Sequence, residues 1–247
     1  MQQGDFTQLA RAYVHRPAYS APLIDALVAL TGDEVADIGA GTGKLTQMLA
    51  ARGRHGHAVE PNAAMRAEGQ ALNLERFAWR AGSAEETSLA EASVDWVTMA
   101  SAFHWADAPR ALAEFHRILR PSGRLTLLWN PRDLARDTLQ ADIERDIATI
   151  APGLKRRSSG APAYTEGLED ILLGSGLFTD LVFLEAPHVE PMSVERHLGA
   201  WRSVNDIQAQ AGPQAWAKIL AAIEQRLEGL GEIEVRYRTR AWTVRKA

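Results

Sequence analysis

The stretch from Glu34 to Thr46 constrains this chain most. A short apolar run with a carboxylate near its end, Glu34-Val35-Ala36-Asp37-Ile38, leads into Gly39-Ala40-Gly41-Thr42-Gly43, and a helix-period pattern follows at Leu45, Met48 and Leu49. The order is strand, tight turn, helix. Glycine suits such a turn because it adopts positive φ freely, and because a ligand can approach the backbone closely only where no Cβ stands in the way. Gly39 and Gly41 are the candidates for that approach. A phosphate-binding loop of the form G-x-x-x-x-G-K-[ST] would need glycine where Ile38 stands and a hydroxyl where Leu45 stands. A dinucleotide fingerprint G-x-G-x-x-G begun at Gly39 would need glycine at Lys44. Neither spacing is met, and D-x-G-x-G-x-G is the pattern that stands.

The flanking chain supplies the other layers of an α/β fold. Pro22, Leu23, Ile24, Leu27, Val28 and Leu30 give one apolar helical face before the first strand, and the helix after the glycines is expected to end near Arg52 with Gly53 as its cap. His57 to Glu60 reads as a second strand, with Pro61-Asn62 opening the next helix. Phe77 to Gly82 and Val94 to Ser101 read as strands three and four. Asp107 and Pro109 start an amphipathic helix through Leu112, Phe115, Ile118 and Leu119, and Arg124 to Trp129 is strand five. Such alternation implies a right-handed, mainly parallel sheet with helices on both faces.

The pattern then changes. Leu139, Ile143, Ile147 and Ile150 form a helical stripe, followed by a loop from Pro152 to Pro162, and 131–165 is expected to be an insertion over the sheet edge, a lid for a substrate. Lys155, Arg156 and Arg157 in that loop read better as a solvated charge run than as an anion site. Helices are expected over 168–177, 193–203 and 214–227, with a strand over 181–189. Strict alternation of Ile233, Val235, Tyr237, Thr239 and Ala241 with Glu234, Arg236, Arg238 and Arg240 marks a half-buried closing strand whose arginines face solvent.

At 247 residues with 46% hydrophobic and 23% charged content, one well-cored domain is expected. The absence of cysteine removes disulfides and thiolate ligands, zinc is not expected, and the cytoplasm fits. The first twenty residues lack the apolar core of a signal peptide, and no run approaches a membrane span. A net charge of −4 argues against extensive contact with nucleic-acid phosphates.

The glycine turn resembles motif I of the class I S-adenosylmethionine-dependent methyltransferases. The ordered block Gly82-Ser83-Ala84-Glu85, Ser93-Val94-Asp95, Ala102-Phe103-His104-Trp105 and Glu114 to Leu125 is similar to the methyltransferase-11 type family. Phe103-His104-Trp105, with Tyr13 and Arg16-Pro17-Ala18-Tyr19, is similar to the trans-aconitate methyltransferase-like branch. The resemblance implies a Rossmann-like seven-stranded sheet with an antiparallel last strand, S-adenosylmethionine at its carboxyl edge with S-adenosylhomocysteine as product, and a substrate held under the insertion and the N-terminal helical segment, residues 1–30.

By that resemblance Asp37, Gly39, Ala40, Gly41 and Thr42 lie near the methionine end, and Glu60 meets the ribose. Asn62, Ser83, Ala84 and Glu85 lie around the adenine, and Ser101 and Ala102 line the sulfonium side. Many relatives have an aspartate where Ser83 stands. Independently of the family, an acidic residue ending a second strand is placed to accept hydrogen bonds from ribose hydroxyls. His104, after strand four, is the candidate base or orienting group, against the alternative of a histidine that packs with Trp105. Tyr13, Arg16, Trp105, Trp129, Asn130 and Arg132 are candidate substrate contacts, whereas His55 and His57 read as structural. The function expected is methyl transfer to a small molecule without a metal, carboxylate O-methylation slightly ahead of other acceptors. A cofactor-binding regulatory module without turnover stays open, and a dinucleotide-dependent oxidoreductase is disfavoured by the missing third glycine.

Overall fold

Local signals in the chain explain where its elements begin. Asn62 accepts from the Ala64 and Met65 amides and starts a helix, and Asp107 does so through the Arg110 amide with Pro109 in the first turn. Asp137 accepts from Gln140 N–H with one oxygen and from Arg236 N–H with the other, so it caps a helix and ties it to the closing strand. In this computed structural model, which describes residues 6–155 and 165–247, the elements are α1 (Ala10–Tyr13), α2 (Ala21–Leu30), β1 (Glu34–Ile38), α3 (Lys44–Ala50), β2 (His55–Val59), α4 (Ala63–Gln70), β3 (Phe77–Arg80) and β4 (Val94–Ala100). There follow a short 3₁₀ turn (Phe103–Trp105), α5 (Ala108–Ile118), β5 (Leu119–Trp129), α6 (Thr138–Ile150), α7 (Leu168–Gly174), β6 (Phe178–Ser193), α8 (Val194–Arg202), α9 (Asn205–Leu227) and β7 (Glu232–Lys246).

The seven strands lie in the order β3-β2-β1-β4-β5-β7-β6. β1 to β5 pair in parallel, and β7 runs antiparallel between β5 and β6. This is the Rossmann-like sheet expected from the sequence. Alternate residues of one strand serve opposite faces: Val35 packs with Leu23, Leu27, Leu45 and Leu49 of α2 and α3, whereas Ala36 and Ile38 pack with the α5 side chains Leu112 and Phe115. A separate core joins α6, α8 and α9 to the lower halves of β6 and β7 around Ile143, Ile147, Trp201, Ile219, Val235 and Tyr237.

Three departures have physical causes. β7 continues to Lys246 because Ala241, Trp242, Thr243 and Val244 are buried on both faces between β5 and β6, where the period-two signal disappears. α9 begins at Asn205 and is two helical segments joined at Gly212, which has φ 74°; the spacing after Pro213 reveals only the second. Residues 120–123 bulge within β5, which resumes register at Arg124, while Arg120 leaves the sheet to bridge Asp95 and Glu34 at 2.8 Å each. The arginines of β7 are held in ion pairs: Arg236 with Glu234, Arg238 with Asp133 and Glu185, and Arg240 with Glu185. Of the basic run, Arg156 and Arg157 lie outside the described residues.

Candidate active site

A cavity of about 340 Å3 opens at the carboxyl ends of β1, β2 and β4, where the strand order reverses direction about β1. Open α/β sheets bind ligands at such a point, and the volume is in the range of small-molecule sites. Asp37, Gly39, Ala40, Gly41, Thr42, Glu60, Asn62, Ser83, Ala84, Glu85, Ser101 and Ala102 all line it. So do Tyr13, Arg16, Trp105 and Asn130 from the expected substrate set, together with Phe6, Tyr19, Lys44, Met65 and Met99, which no role had been assigned. Tyr19 stands in the Arg-Pro-Ala-Tyr segment and Lys44 directly follows the glycines, so each sat beside a recognised signal.

The glycine turn is shaped by the sheet beneath it. Gly39 and Ala40 donate their amides to Val59 O at 2.8 and 3.1 Å, folding the turn over the end of β2. Gly39 has φ 64°, and a Cβ there would stand 3.0 Å from that of Ala102; Gly41 has φ 60°. The Gly41 amide donates to Glu60 Oε2 at 2.9 Å and the Asn62 amide to Glu60 Oε1 at 2.8 Å. Burial pushes the Glu60 carboxyl above its ordinary range, and those two amides oppose the shift. A carboxylate has about four lone-pair sites, so Glu60 retains capacity for further donors.

Asp37 lies deeper. Its carboxylate accepts from Thr46 Oγ1 at 2.6 Å and Thr98 Oγ1 at 2.9 Å, and burial raises its pKa to about 6 despite these bonds. The Asn62 side chain is spent on α4: its Oδ1 caps the helix and its Nδ2 donates to Thr7 Oγ1 at 2.9 Å. Ser83 Oγ accepts from the Glu85 amide at 3.2 Å, and Glu85 Oε1 accepts from the Asp107 amide at 2.8 Å, so these side chains fix the loop after β3.

The N-terminal segment forms the outer wall, strapped down by partners distant in sequence. Arg16 donates to Ser203 Oγ at 2.6 Å and Ser203 O at 3.1 Å, and its guanidinium lies 4.8 Å from the Tyr13 ring centre. Ala18 O accepts from Asn130 Nδ2 at 2.9 Å, and the Ser20 amide donates to Thr239 Oγ1 at 2.8 Å. Phe6, Tyr13 and Trp105 meet edge to face at 5.7 and 6.2 Å. Tyr19 Oη is 3.4 Å from Ser101 Oγ, and burial raises its pKa.

Three predicted contacts are placed elsewhere. Arg132 stacks 4.1 Å above Trp201 and lies 3.9 Å from Glu144, in the core of α6 and α8, because the bridge from Arg132 to Tyr237 carries the chain away from the cavity. Trp129 is fully buried against Trp242, on the opposite strand face from Asn130. His104 borders a side cavity of about 30 Å3 rather than the main one. Its Nδ1 accepts from Trp129 Nε1–H at 3.5 Å and its ring lies 4.8 Å from Trp105, so that nitrogen's lone pair is engaged within the protein. The described part of 131–165 does not line the cavity, since the Ile143 and Ile147 stripe is buried against α9.

Residues 36–127 match the family described as methyltransferase domain. That stretch runs from β1 into β5 and holds the glycine turn, Glu60 and the loop after β3. An uncharacterized methyltransferase of Mycobacterium tuberculosis is 46% identical over 118 residues, which are 48% of this chain and 48% of that protein, so the chain matches about half the length of its curated relative. Among solved structures, a putative type II methyltransferase from Anaeromyxobacter dehalogenans superposes with a TM-score of 0.66 at 23% identity, covering 94% of this chain and 97% of that one. Phosphoethanolamine N-methyltransferase 2 of Haemonchus contortus, solved with S-adenosyl-L-methionine, gives 0.55 at 17% identity, covering 97% of this chain and 57% of that one. These two likenesses are of fold.

S-adenosylmethionine is the group that the sequence resemblance implies, and the residues that line the cavity fit it. A bare Cα at Gly39 keeps open a space that a Cβ would fill, Glu60 keeps acceptor capacity at the end of β2, and the turn exposes backbone to the cavity between them. Among the described residues no helix is long and apolar enough to cross a membrane.

Proposed function

We propose that this chain catalyses S-adenosylmethionine-dependent methyl transfer to a small-molecule acceptor, with a carboxylate the leading acceptor group. The observation that carries the reading is the bond from Gly41 N–H to Glu60 within one cavity, which joins a glycine turn to a ribose acceptor. When bound, the cofactor supplies a methyl group already made electrophilic by its sulfonium, so the protein's task is mainly alignment and exclusion of water. Asp37, Gly39, Ala40, Gly41 and Thr42 are assigned to the methionine end, Glu60 to the ribose, and Asn62, Ser83, Ala84 and Glu85 to the wall beside the adenine. With the Asn62 and Ser83 side chains committed to their own loops, their contribution there is shape and backbone.

Ser101 and Ala102 border the sulfonium side. The acceptor belongs beyond them, against Phe6, Tyr13 and Trp105, with the Arg16 guanidinium as the nearby cation that favours an anionic acceptor. A carboxylate is ionised at neutral pH and needs no base, in keeping with His104 as an orienting group. The preference also draws on the resemblance to the trans-aconitate methyltransferase-like branch. One domain closed by its N-terminal segment accounts for the site; of the lid expected over 131–165, residues 156–164 lie outside the described residues. The test is thermal unfolding with S-adenosylmethionine, S-adenosylhomocysteine, NAD and ATP added separately, then turnover on a panel of carboxylates, amines and phenols. A ligand at about 100 times its Kd adds roughly 2.7 kcal/mol. Stabilisation by NAD or ATP alone would refute the cofactor reading, and stabilisation by the first two without turnover on any acceptor would favour a regulatory module.

A further inference from the structure

Among the described residues three carboxylates face the cavity, Asp37, Glu60 and Glu85, and two cations, Arg16 and Lys44. The cofactor brings an α-carboxylate of its own into this acidic setting, and that group needs a cation or several amide donors. Gly39 and Ala40 have given their amides to Val59 O, and Gly41 has given its amide to Glu60. Arg16 holds Ser203 with two nitrogens and is braced over Tyr13.

Lys44 is differently placed. It follows the turn directly, beside Thr42 at the end assigned to the methionine moiety, and among the described residues its Nζ makes one long contact, to Val14 O at 3.3 Å. An ammonium has three donors, which leaves capacity after that contact. The charges near it are Arg196 and Glu190, and these pair with each other at 2.5 Å. Burial, with Arg196 adding to it, lowers the Lys44 pKa, the condition in which an incoming anion is most welcome.

We propose that Lys44 is the residue that recognises the α-carboxylate of the cofactor, so that it selects S-adenosylmethionine and S-adenosylhomocysteine over nucleosides lacking the amino-acid tail. This rests on the cavity being the cofactor site. No such role was assigned to Lys44 from the sequence, where it served only to exclude the dinucleotide fingerprint. The contact with Val14 links the same ammonium to the N-terminal segment, so carboxylate binding at Lys44 would also brace the outer wall of the cavity.

The test compares wild type, Lys44→Met and Lys44→Arg by calorimetric binding of S-adenosylhomocysteine and of 5′-methylthioadenosine, which has the nucleoside and thioether without the amino-acid tail. Methionine keeps the apolar stem and removes the charge. Loss of a charge-assisted bond should weaken S-adenosylhomocysteine about 10- to 100-fold in Lys44→Met, leave 5′-methylthioadenosine unchanged, and be largely restored in Lys44→Arg. Equal weakening of the two ligands would mean that Lys44 acts only by holding the N-terminal segment, and no change in either would mean that it makes no contact; each result overturns the proposal. Failure of wild type to bind either ligand would instead overturn the cofactor reading, and the proposal with it.

Discussion

Replacing Asp37 with asparagine should make the ligand-free protein more stable at neutral pH. Burial raises this carboxyl from its ordinary 3.8 to about 6, with the Thr46 and Thr98 hydroxyls already opposing the shift. That difference corresponds to about 3 kcal/mol against the ionised form in the native state. The sign follows from proton counting. Between the unfolded and folded pKa values the native state binds more protons than the unfolded one, so this group makes stability fall as pH rises through the window. About half of that loss is present at pH 5 and nearly all of it by pH 7.5.

Asparagine removes the loss and retains most of the bonding. Its amide oxygen can accept from Thr98, and its NH2 can donate to Thr46 once that hydroxyl turns to a backbone carbonyl one helical turn back, at a cost of about 1 kcal/mol. The net gain at pH 7.5 is about 2 kcal/mol, or about 4–8 °C in Tm for a domain of this size. Chemical denaturation of wild type and variant across pH 5 to 8 checks it, because the difference between the two curves isolates this group. A difference that is constant across that range, or that shrinks as pH rises, would refute the assignment of a strained carboxylate at Asp37.

Other substitutions separate the parts of the site. Glu60→Gln places an NH2 against one of the two amides that Glu60 now accepts from, and should weaken S-adenosylhomocysteine and 5′-methylthioadenosine alike by about 10- to 100-fold in calorimetry. Gly39→Ala puts a Cβ 3.0 Å from that of Ala102 on a left-handed backbone, which should cost about 1–2 kcal/mol in denaturant melts and abolish the thermal shift given by S-adenosylhomocysteine. Arg132→Ala should cost about 2 kcal/mol through loss of the stack on Trp201, with cofactor affinity unchanged; a weakened affinity would return Arg132 to the site.

The half of the cavity proposed for the cofactor was legible because its signals are local. Gly39, Gly41 and Glu60 lie within one strand-turn-helix-strand unit, so spacing alone brings them together. The acceptor half was legible only in part. Trp129, Asn130 and Arg132 were grouped as residues beyond strand five, yet strand parity sends Trp129 into the core and Asn130 toward the cavity, and the bridge to Tyr237 draws Arg132 into the second core. Lys44 was hidden in plain view, since its significance depends on the other charges in the cavity. The first segment of α9 was concealed by Gly212-Pro213, whose residue types signal a break while the chain resumes a helix on the other side.

The division between the two halves also bears on specificity. The family match ends at residue 127, before Asn130 and before two of the partners that strap the N-terminal segment, Ser203 for Arg16 and Thr239 for Ser20. Gly199 lacks a side chain where His15 packs, so even the fit of α8 against that segment is set outside the matched stretch. The shared stretch therefore builds the floor on which the cofactor is proposed to lie, whereas the wall that would meet an acceptor draws, besides Trp105, on residues 6–20 and on their distant partners in the last third of the chain. A substitution at Ser203 or Gly199, far from any reacting atom, should shift acceptor preference by moving Arg16 and Tyr13 while leaving S-adenosylhomocysteine affinity nearly constant.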